Sequence, residues 1–280
     1  MNNDIQLIAS AIEGLQSNFI KDYIYPVGSV LISGALGMGV AYYTVNRQEY
    51  TKIELDKIRA INKTLLSALE LRLCLVGIKS MYFKKLSGHP IDRMLHVPRV
   101  LLREVKSDFD LPSLSFLVPR ENEAFNKWRS LDHIATVISN FNTVIMLWDK
   151  RNNLIENILP QLSEHYGKPL DLGELQNLIG IGNMAVLSDI TECCLHMTDD
   201  LLIEITCLLA GLPVATDGRI DKKILSKFGG IIPVSLPTYD KYPLAVDLLT
   251  KVPEVNYGLL SMIQNISVDE LKERYKPIYN

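Results

Sequence analysis

The hydrophobic positions nearest the N-terminus follow a three–four spacing that is typical of an amphipathic helix. Apolar side chains recur there between polar ones: Ile5, Ile8, Ile12, Leu15 and Phe19. Residues three and four apart lie on the same face of an α-helix, so these side chains form one apolar stripe. We predict an amphipathic extracytoplasmic segment over residues 1–22, which lies on the membrane interface or packs against copies of itself.

The pattern then changes to an apolar run that contains no charged residue from Tyr23 to Asn46. About 20 such residues in a helix span the hydrocarbon core of a bilayer. Tyrosines stand near both ends of the run, where their amphipathic rings suit the two interfaces. We therefore predict a transmembrane helix over residues 23–46. A buried core helix is the alternative, because four glycines dilute the hydrophobicity of the run.

Basic residues are distributed unevenly on the two sides of this run. Lys21 is the only one before it, whereas five follow it closely: Arg47, Lys52, Lys57, Arg59 and Lys63. Lys and Arg are retained on the cytoplasmic side of a membrane segment. The pattern predicts a single-pass protein of the cell membrane, with its N-terminus outside and its C-terminal domain in the cytoplasm.

Small residues within the apolar run also follow the helical period. They recur at every fourth position: Ser29, Ser33, Gly37 and Ala41. In lipid, a stripe of small residues lets two helix backbones approach closely, and we predict that this stripe packs against a second copy of the chain. The alternative is that the stripe has no packing role, since small residues are common in membrane helices in general.

Beyond the run, hydrophobic residues at helical spacing predict a mainly α-helical protein. Neither Gly nor Pro occurs from residue 41 to 76, so we expect the membrane helix to continue to about Leu86. Further long helices are predicted from about Arg120 to Glu164 and from Asp171 to about Gly211. These helices form a predicted antiparallel cytoplasmic bundle over residues 47–212.

Prolines divide two other parts of the chain into shorter pieces. Between residues 88 and 120 we expect one short helix, starting at Arg93 or Val97 and ending at Lys106. Residues 213–280 are predicted to be irregular, with short helices. The last of these helices covers Val268 to Tyr275, after a capping box formed by Ser267 and Glu270.

Composition narrows the classes of function. The chain is 48% hydrophobic with a formal net charge of −3, so its overall charge provides no attraction to nucleic acid, and we do not expect a nucleic-acid partner. Its four cysteines lie within apolar helical patterns: Cys74, Cys193, Cys194 and Cys207. We interpret them as small core residues of a protein in a reducing compartment.

An acidic segment offers the first candidate chemistry. Its polar residues are closely spaced on the predicted third long helix: Asp189, Glu192, Cys193, Cys194, His196, Asp199 and Asp200. Glu192 and His196 stand one turn apart and are suitable metal ligands, but a second helix with the same spacing is missing. Cys193 and His196 also form a candidate nucleophilic pair in unfavourable acidic surroundings. The alternative is a solvated acidic face beside buried cysteines, so we predict neither a metal site nor catalytic residues.

A basic segment offers the second candidate site. Six of its side chains are predicted to bind an anionic ligand or a protein partner: Lys79, Lys84, Lys85, Arg93, Arg99 and Arg103. The alternative is a solvated turn region that has no specific partner.

We therefore expect a membrane-anchored, self-associating helical protein whose cytoplasmic bundle senses or binds a partner. Its expected partners are the bilayer, a second copy of itself, and an unidentified cytoplasmic protein or anionic ligand. We expect no cofactor, and a non-enzymatic role is favoured. One alternative is a membrane-perturbing or pore-forming effector. Another is a metal-dependent enzyme that uses the cluster at residues 189–200.

Overall fold

The computed structural model describes residues 2–15, 24–102, 109–165, 168 and 170–279 of the 280-residue chain. These residues are mainly α-helical, and no β-strand occurs among them. The chain divides into two compact units, Met1–Leu55 and Asp56–Asn280. A mainly helical fold is therefore confirmed.

The first unit contains helix α1, Asn2–Leu15, and the beginning of α2, Tyr25–Ser80. The 56-residue length of α2 depends on the stretch between Val40 and Gly77, because that stretch contains neither Gly nor Pro and so has no residue that breaks the helix. The expected continuation of the apolar run into a long helix is confirmed, although α2 ends six residues earlier than predicted, in a turn over residues 81–85.

The apolar part of α2 is exposed. Large side chains there are more than half accessible, for example Val30 at 70%, Leu36 at 65% and Tyr42 at 72%. In the described part of the chain, α2 is the one helix that by itself has the length and hydropathy to cross a membrane. Two shorter helices, Leu172–Ile179 and Ile181–Ala215, meet the same criterion only when they are joined across a bend of 104°.

The second unit contains the remaining helices. They are α3 (Pro90–His96), α4 (Leu131–Ser163), α5 (Leu172–Ile179), α6 (Ile181–Ala215), α7 (Lys222–Phe228), α8 (Pro243–Asp247), α9 (Tyr257–Gln264) and α10 (Val268–Arg274). Short 3₁₀ helices cover Leu111–Leu117 and Lys127–Arg129.

The main core of this unit joins α2, α4 and α6. Its fully buried side chains include Ile61, Leu65 and Leu75 of α2, Phe141 and Trp148 of α4, and Leu202 and Leu209 of α6. Trp148 stacks on Tyr82 at 5.6 Å between ring centroids and donates its indole N–H to Thr198 at 2.9 Å. Trp148, the largest core side chain, therefore has its apolar surface buried and its indole N–H hydrogen-bonded.

The prediction of a single third long helix is wrong, because Gly180 divides this part of the chain into α5 and α6. Gly180 has φ 80° and ψ 149°, a conformation that side-chain-bearing residues rarely adopt. The predicted cap at Asp171 is confirmed: its carboxylate accepts from the Glu174 N–H at 2.7 Å, and Glu174 accepts from the Asp171 N–H at 3.0 Å. Apolar spacing continues across Gly180, which explains why periodicity did not reveal the bend.

Other helix boundaries differ from those predicted. The second long helix begins at Leu131 and not at Arg120, because Ser130 caps it by accepting from the His133 N–H. The predicted short helix corresponds to α3, which begins earlier than expected, at Pro90, and ends at His96. Residues 103–108 lie outside the described residues. The last helix ends one residue early, at Arg274, and Ser267 caps it as predicted.

The cysteines are not uniformly buried. Cys194 is fully buried, Cys74 and Cys193 are half-buried, and Cys207 is exposed. The interpretation of all four as core residues is therefore wrong for Cys207. This residue follows the helical pattern of α6 but lies on the face directed away from the core.

Candidate functional site

Helix α6 carries five carboxylates that all pair with cations from other parts of the second unit. We call these residues the acidic row: Asp189, Glu192, Asp199, Asp200 and Glu204. Their partners are Arg274, Arg93, Lys79, Lys251 and Lys127, respectively. The acidic row therefore connects one helix to segments that lie far from it in the sequence.

The pair between Arg93 and Glu192 is buried and bidentate. Two guanidinium nitrogens of Arg93 donate to the two carboxylate oxygens of Glu192, each at 2.8 Å, and both side chains are at most 1% exposed. Burial raises the pKa of the Glu192 carboxyl, and Arg93 opposes that shift. Arg93 also donates to the Pro253 carbonyl at 2.5 Å, so it links α3, α6 and the C-terminal segment.

Lys79 and Asp199 form a second buried pair at 2.7 Å. Lys79 also donates to the Thr250 carbonyl at 2.5 Å, and Asp199 accepts from the Val252 N–H at 2.6 Å. Burial raises the pKa of Asp199, while Lys79 lowers it. Lys79 and Arg93, two of the six predicted ligand-binding residues, therefore face the protein interior and hold carboxylates of the same chain.

The residues proposed for metal or cysteine chemistry have other contacts. Asp189 accepts from the Tyr275 hydroxyl at 2.6 Å, and the His196 ring stacks on Tyr275 at 5.7 Å. Burial, with Arg93 nearby, lowers the pKa of His196 to about 4. Burial and Asp189 raise the pKa of Cys193 to about 11, which keeps it a thiol at neutral pH. Across the residues described, no three His, Cys, Asp or Glu side chains converge on one point.

Two polar residues of α4 fix the segment that follows α3. Arg151 is fully buried and donates to the carbonyls of Met94 at 3.0 Å and Val97 at 2.8 Å. Asn152 accepts from the Val100 N–H at 3.0 Å and donates to the Val100 carbonyl at 2.7 Å. Burial lowers the pKa of Arg151 to about 10, so its guanidinium remains charged at neutral pH. These bonds hold residues 94–100 rigidly against α4.

This fixed segment forms one wall of a groove with a volume of about 1040 Å³, which we call the basic groove. Its other walls are the last turns of α4 and three residues that follow it, His165, Lys168 and Leu170. Aliphatic lining residues are Leu95, Val97, Ile155, Leu159, Leu162 and Leu170, and basic lining residues are Lys85, His96, Arg99, His165 and Lys168. Several of these apolar side chains extend the second hydrophobic cluster, which lies between α3, α4, α5 and α6.

The charges in the basic groove are only partly paired. Arg99 contacts Glu156 at 2.5 Å, and both side chains are exposed. Within the described ranges, Lys85 and Lys168 have no carboxylate within ion-pair distance. The Nδ1 atom of His165 is shielded from water and has no hydrogen-bond partner among the described residues. With neutral histidines, three cations and Glu156 give the groove a net charge of +2.

The structure therefore brings together two of the predicted ligand-binding residues, Lys85 and Arg99. Lys84 is exposed outside the groove and lies over the Phe83 ring at 5.5 Å, and Arg103 lies outside the described residues. Sequence reasoning missed Lys168 and His165. Both residues lie in the polar connector that directly follows α4, and the last turns of α4 form a wall of the groove. That position was the signal available in the sequence.

The predicted helix-packing residues are accessible in the first unit. Ser29, Ser33, Gly37 and Ala41 are all exposed, and a Cβ atom placed on Gly37 meets nothing within 4 Å. The Ser29 hydroxyl is satisfied by the Pro26 carbonyl at 2.8 Å. A larger side chain at Gly37 therefore fits within the single chain.

The chain matches no known protein family, no curated protein sequence and no solved structure. The geometry of the basic groove and the exposure of α2 are therefore the observations on which a functional proposal rests.

Proposed function

We propose that this chain is a membrane-anchored, self-associating helical protein whose C-terminal unit binds an anionic ligand in the basic groove. The observation that carries the proposal is the groove itself, because it combines a concave apolar lining with cations that lack carboxylate partners among the described residues. Concave sites with an apolar lining and a few convergent polar groups are the usual form of small-molecule sites.

The exposed apolar part of α2 supports the membrane anchor. An uncharged, fully exposed apolar run is costly in water and favourable in a bilayer core. The basic residues that follow this run support a cytoplasmic location for the second unit. In this proposal, α4 and α6 form the centre of an antiparallel cytoplasmic bundle, supported by their contact in the main core.

Fusions of a reporter that is active only in the cytoplasm test this topology. Activity is expected from a fusion after Asn280 and not from one before Met1. The reverse result overturns the orientation. Full-length protein that stays in the aqueous fraction without detergent overturns the anchor itself.

Self-association is proposed to use the stripe of small residues in α2. Gly37→Leu adds bulk where two backbones meet, and Ala35→Leu adds similar bulk off the stripe. Both positions are exposed in the single chain, so neither change disturbs its fold. Because close packing contributes much of helix association in lipid, we expect Gly37→Leu to dissociate the oligomer and Ala35→Leu to leave it assembled. Crosslinking in membranes distinguishes these outcomes, and an intact Gly37→Leu oligomer contradicts the proposed interface.

Anion binding is tested with octyl phosphate on the full chain in nanodiscs of zwitterionic lipid. Calorimetry against empty nanodiscs corrects for partitioning of the probe into lipid. We expect saturable binding that weakens with salt, because the groove has a net positive charge. The double variant Lys85→Gln/Lys168→Gln should weaken binding by about tenfold or more, since charge-assisted contacts contribute about 1.5–3 kcal/mol each.

Lys84→Gln is the matched control for this experiment, because Lys84 neighbours Lys85 in sequence but does not line the groove. This variant should bind octyl phosphate like the unmodified protein. Equal binding by the double variant and the unmodified protein, or no binding beyond that of empty nanodiscs, overturns the proposed anion site.

A further inference from the structure

We infer that the ligand of the basic groove is an aliphatic anion, a molecule in which an alkyl or acyl chain ends in a phosphate or carboxylate group. The inference rests on the proposed function, because it specifies the chemical class that the same groove binds. It follows from three properties of the groove: its lining, its size and the placement of its charges.

The apolar lining of the groove suits an aliphatic chain. Leucine, isoleucine, valine and proline side chains supply the apolar surface among the described lining residues. A flexible chain requires only aliphatic contact, which this surface provides along α4 through Ile155, Leu159 and Leu162.

The size of the groove exceeds the requirement of an inorganic anion. At about 1040 Å³ it lies just above the usual range for sites that hold organic ligands, about 300–1,000 Å³. A phosphate or sulfate ion held by Lys85 and Lys168 would leave the aliphatic lining in contact with water. A ligand with an apolar body removes that surface from water, so the body contributes to affinity.

The charges and the exposed apolar surface meet in the same groove. Lys85 and Lys168 have no carboxylate partner in the described part of the chain, and His165 Nδ1 has no hydrogen-bond partner there. Leu159, which also lines the groove, remains 53% exposed. An aliphatic anion uses the charges and the apolar surface together, because its head pairs with the two cations while its chain covers Leu159.

A series of alkyl phosphates tests the inference on the full chain in zwitterionic nanodiscs. Ethyl, butyl, hexyl and octyl phosphate carry the same head and differ only in chain length. Binding to empty nanodiscs is measured for each probe and subtracted. Affinity should rise by up to about fourfold for each CH₂ group that becomes buried, and n-octanol should bind more weakly than octyl phosphate.

Leu159→Gln provides the matched mutational test. It should lower the affinity for octyl phosphate by about fivefold to tenfold and leave that for ethyl phosphate nearly unchanged. Leu172→Gln is the control, because Leu172 is a similarly exposed leucine, at 46%, that does not line the groove. Both leucines are exposed, so their replacement should not unfold the protein.

The outcomes separate this inference from the proposed function. If affinity depends on Lys85 and Lys168 but not on chain length or Leu159, the anion site stands and the aliphatic ligand is wrong. If octyl phosphate does not bind, both are wrong. Nanodiscs that contain phosphatidic acid identify the source of the ligand: competition with octyl phosphate indicates a membrane lipid, and its absence indicates a soluble amphiphile.

Discussion

Two apolar helical regions of this protein meet opposite environments. The apolar part of α2 carries no charge over more than twenty residues, and its side chains are exposed. Helix α6 is also rich in leucine and isoleucine, but most of these residues are buried and it carries the acidic row. One region is exposed within the described chain, whereas the other lies largely in the protein core.

The difference shows that apolar content alone does not decide whether a helix is buried in this fold. Every carboxylate of the acidic row has a cation supplied by another element of the second unit. Two of these pairs, Arg93–Glu192 and Lys79–Asp199, lie in the protein interior, which fixes both partners. The apolar part of α2 carries no charge that needs such a partner, which accords with the membrane anchor proposed above.

The largest expected effect comes from breaking a buried pair of α6. Arg93→Met leaves the Glu192 carboxylate buried without a cation, and we expect a loss of about 3–5 kcal/mol in the free energy of unfolding. The double variant Arg93→Met/Glu192→Leu should recover most of this loss, because it removes both charges. Chemical denaturation of detergent-solubilised protein, followed by tryptophan fluorescence, measures both variants.

An exposed ion pair is the control for that comparison. Arg59 contacts Asp56 at 3.0 Å, and their side chains are 74% and 53% exposed. Arg59→Met should change the stability by less than about 0.5 kcal/mol, because exposed pairs are screened by water. A similar loss for Arg59→Met and Arg93→Met would show that the buried pair has no special structural role.

A charge placed in α2 should affect membrane insertion. Leu36→Lys puts a cation near the middle of the apolar run, and we expect insertion to become less favourable by about 3 kcal/mol. Resistance to alkaline extraction from membranes measures this effect. Leu66→Lys is the matched control, since Leu66 is 52% exposed in the second unit. If both variants are extracted equally, α2 does not anchor the protein.

Mild acid should destabilise the second unit through His196. Its pKa falls from 6.5 to about 4 on folding, so between these values the unfolded chain binds more protons than the folded one. Stability from the neutral ring is therefore present above pH 6.5 and lost as the pH falls toward 4. At pH 5 the loss is about 2 kcal/mol relative to pH 7.

The variant His196→Gln isolates this contribution, because it keeps a polar group and removes the titration. Its stability should fall less between pH 7 and pH 5 than that of the unmodified protein. Glu192 and Asp199, whose pKa values are raised by burial, act in the opposite direction in both proteins. Parallel pH profiles for the two proteins would show that His196 does not titrate in this way.

The smallest expected effect concerns two cysteines of α6. Cys194→Ala removes a buried sulfur and should cost about 1 kcal/mol, whereas Cys207→Ala should stay within about 0.5 kcal/mol. In the folded protein, a maleimide should label the exposed Cys207 and leave Cys194 unmodified. Equal labelling of both cysteines would contradict the burial pattern of α6.

The same contrast explains how much of the candidate site was predictable. Lys85 and Arg99 were identified because basic residues are dense in that segment, and both line the groove. Lys79 and Arg93 share the same pattern of charge, yet each is buried against a carboxylate more than ninety positions away. Local composition does not distinguish a cation that faces a groove from one that faces such a partner.

By itself, the sequence determined the helical class, the long uninterrupted α2, and the caps at Asp171 and Ser267. These features depend on neighbouring residues, because helix propensity, periodicity and capping act within a few positions. Only the tertiary structure decided the break at Gly180, the pairing of the acidic row and the walls of the basic groove. The pairing and the groove walls depend on contacts between residues that lie far apart in the chain. The break depends on the backbone conformation of Gly180, which the periodicity of the apolar residues does not reveal.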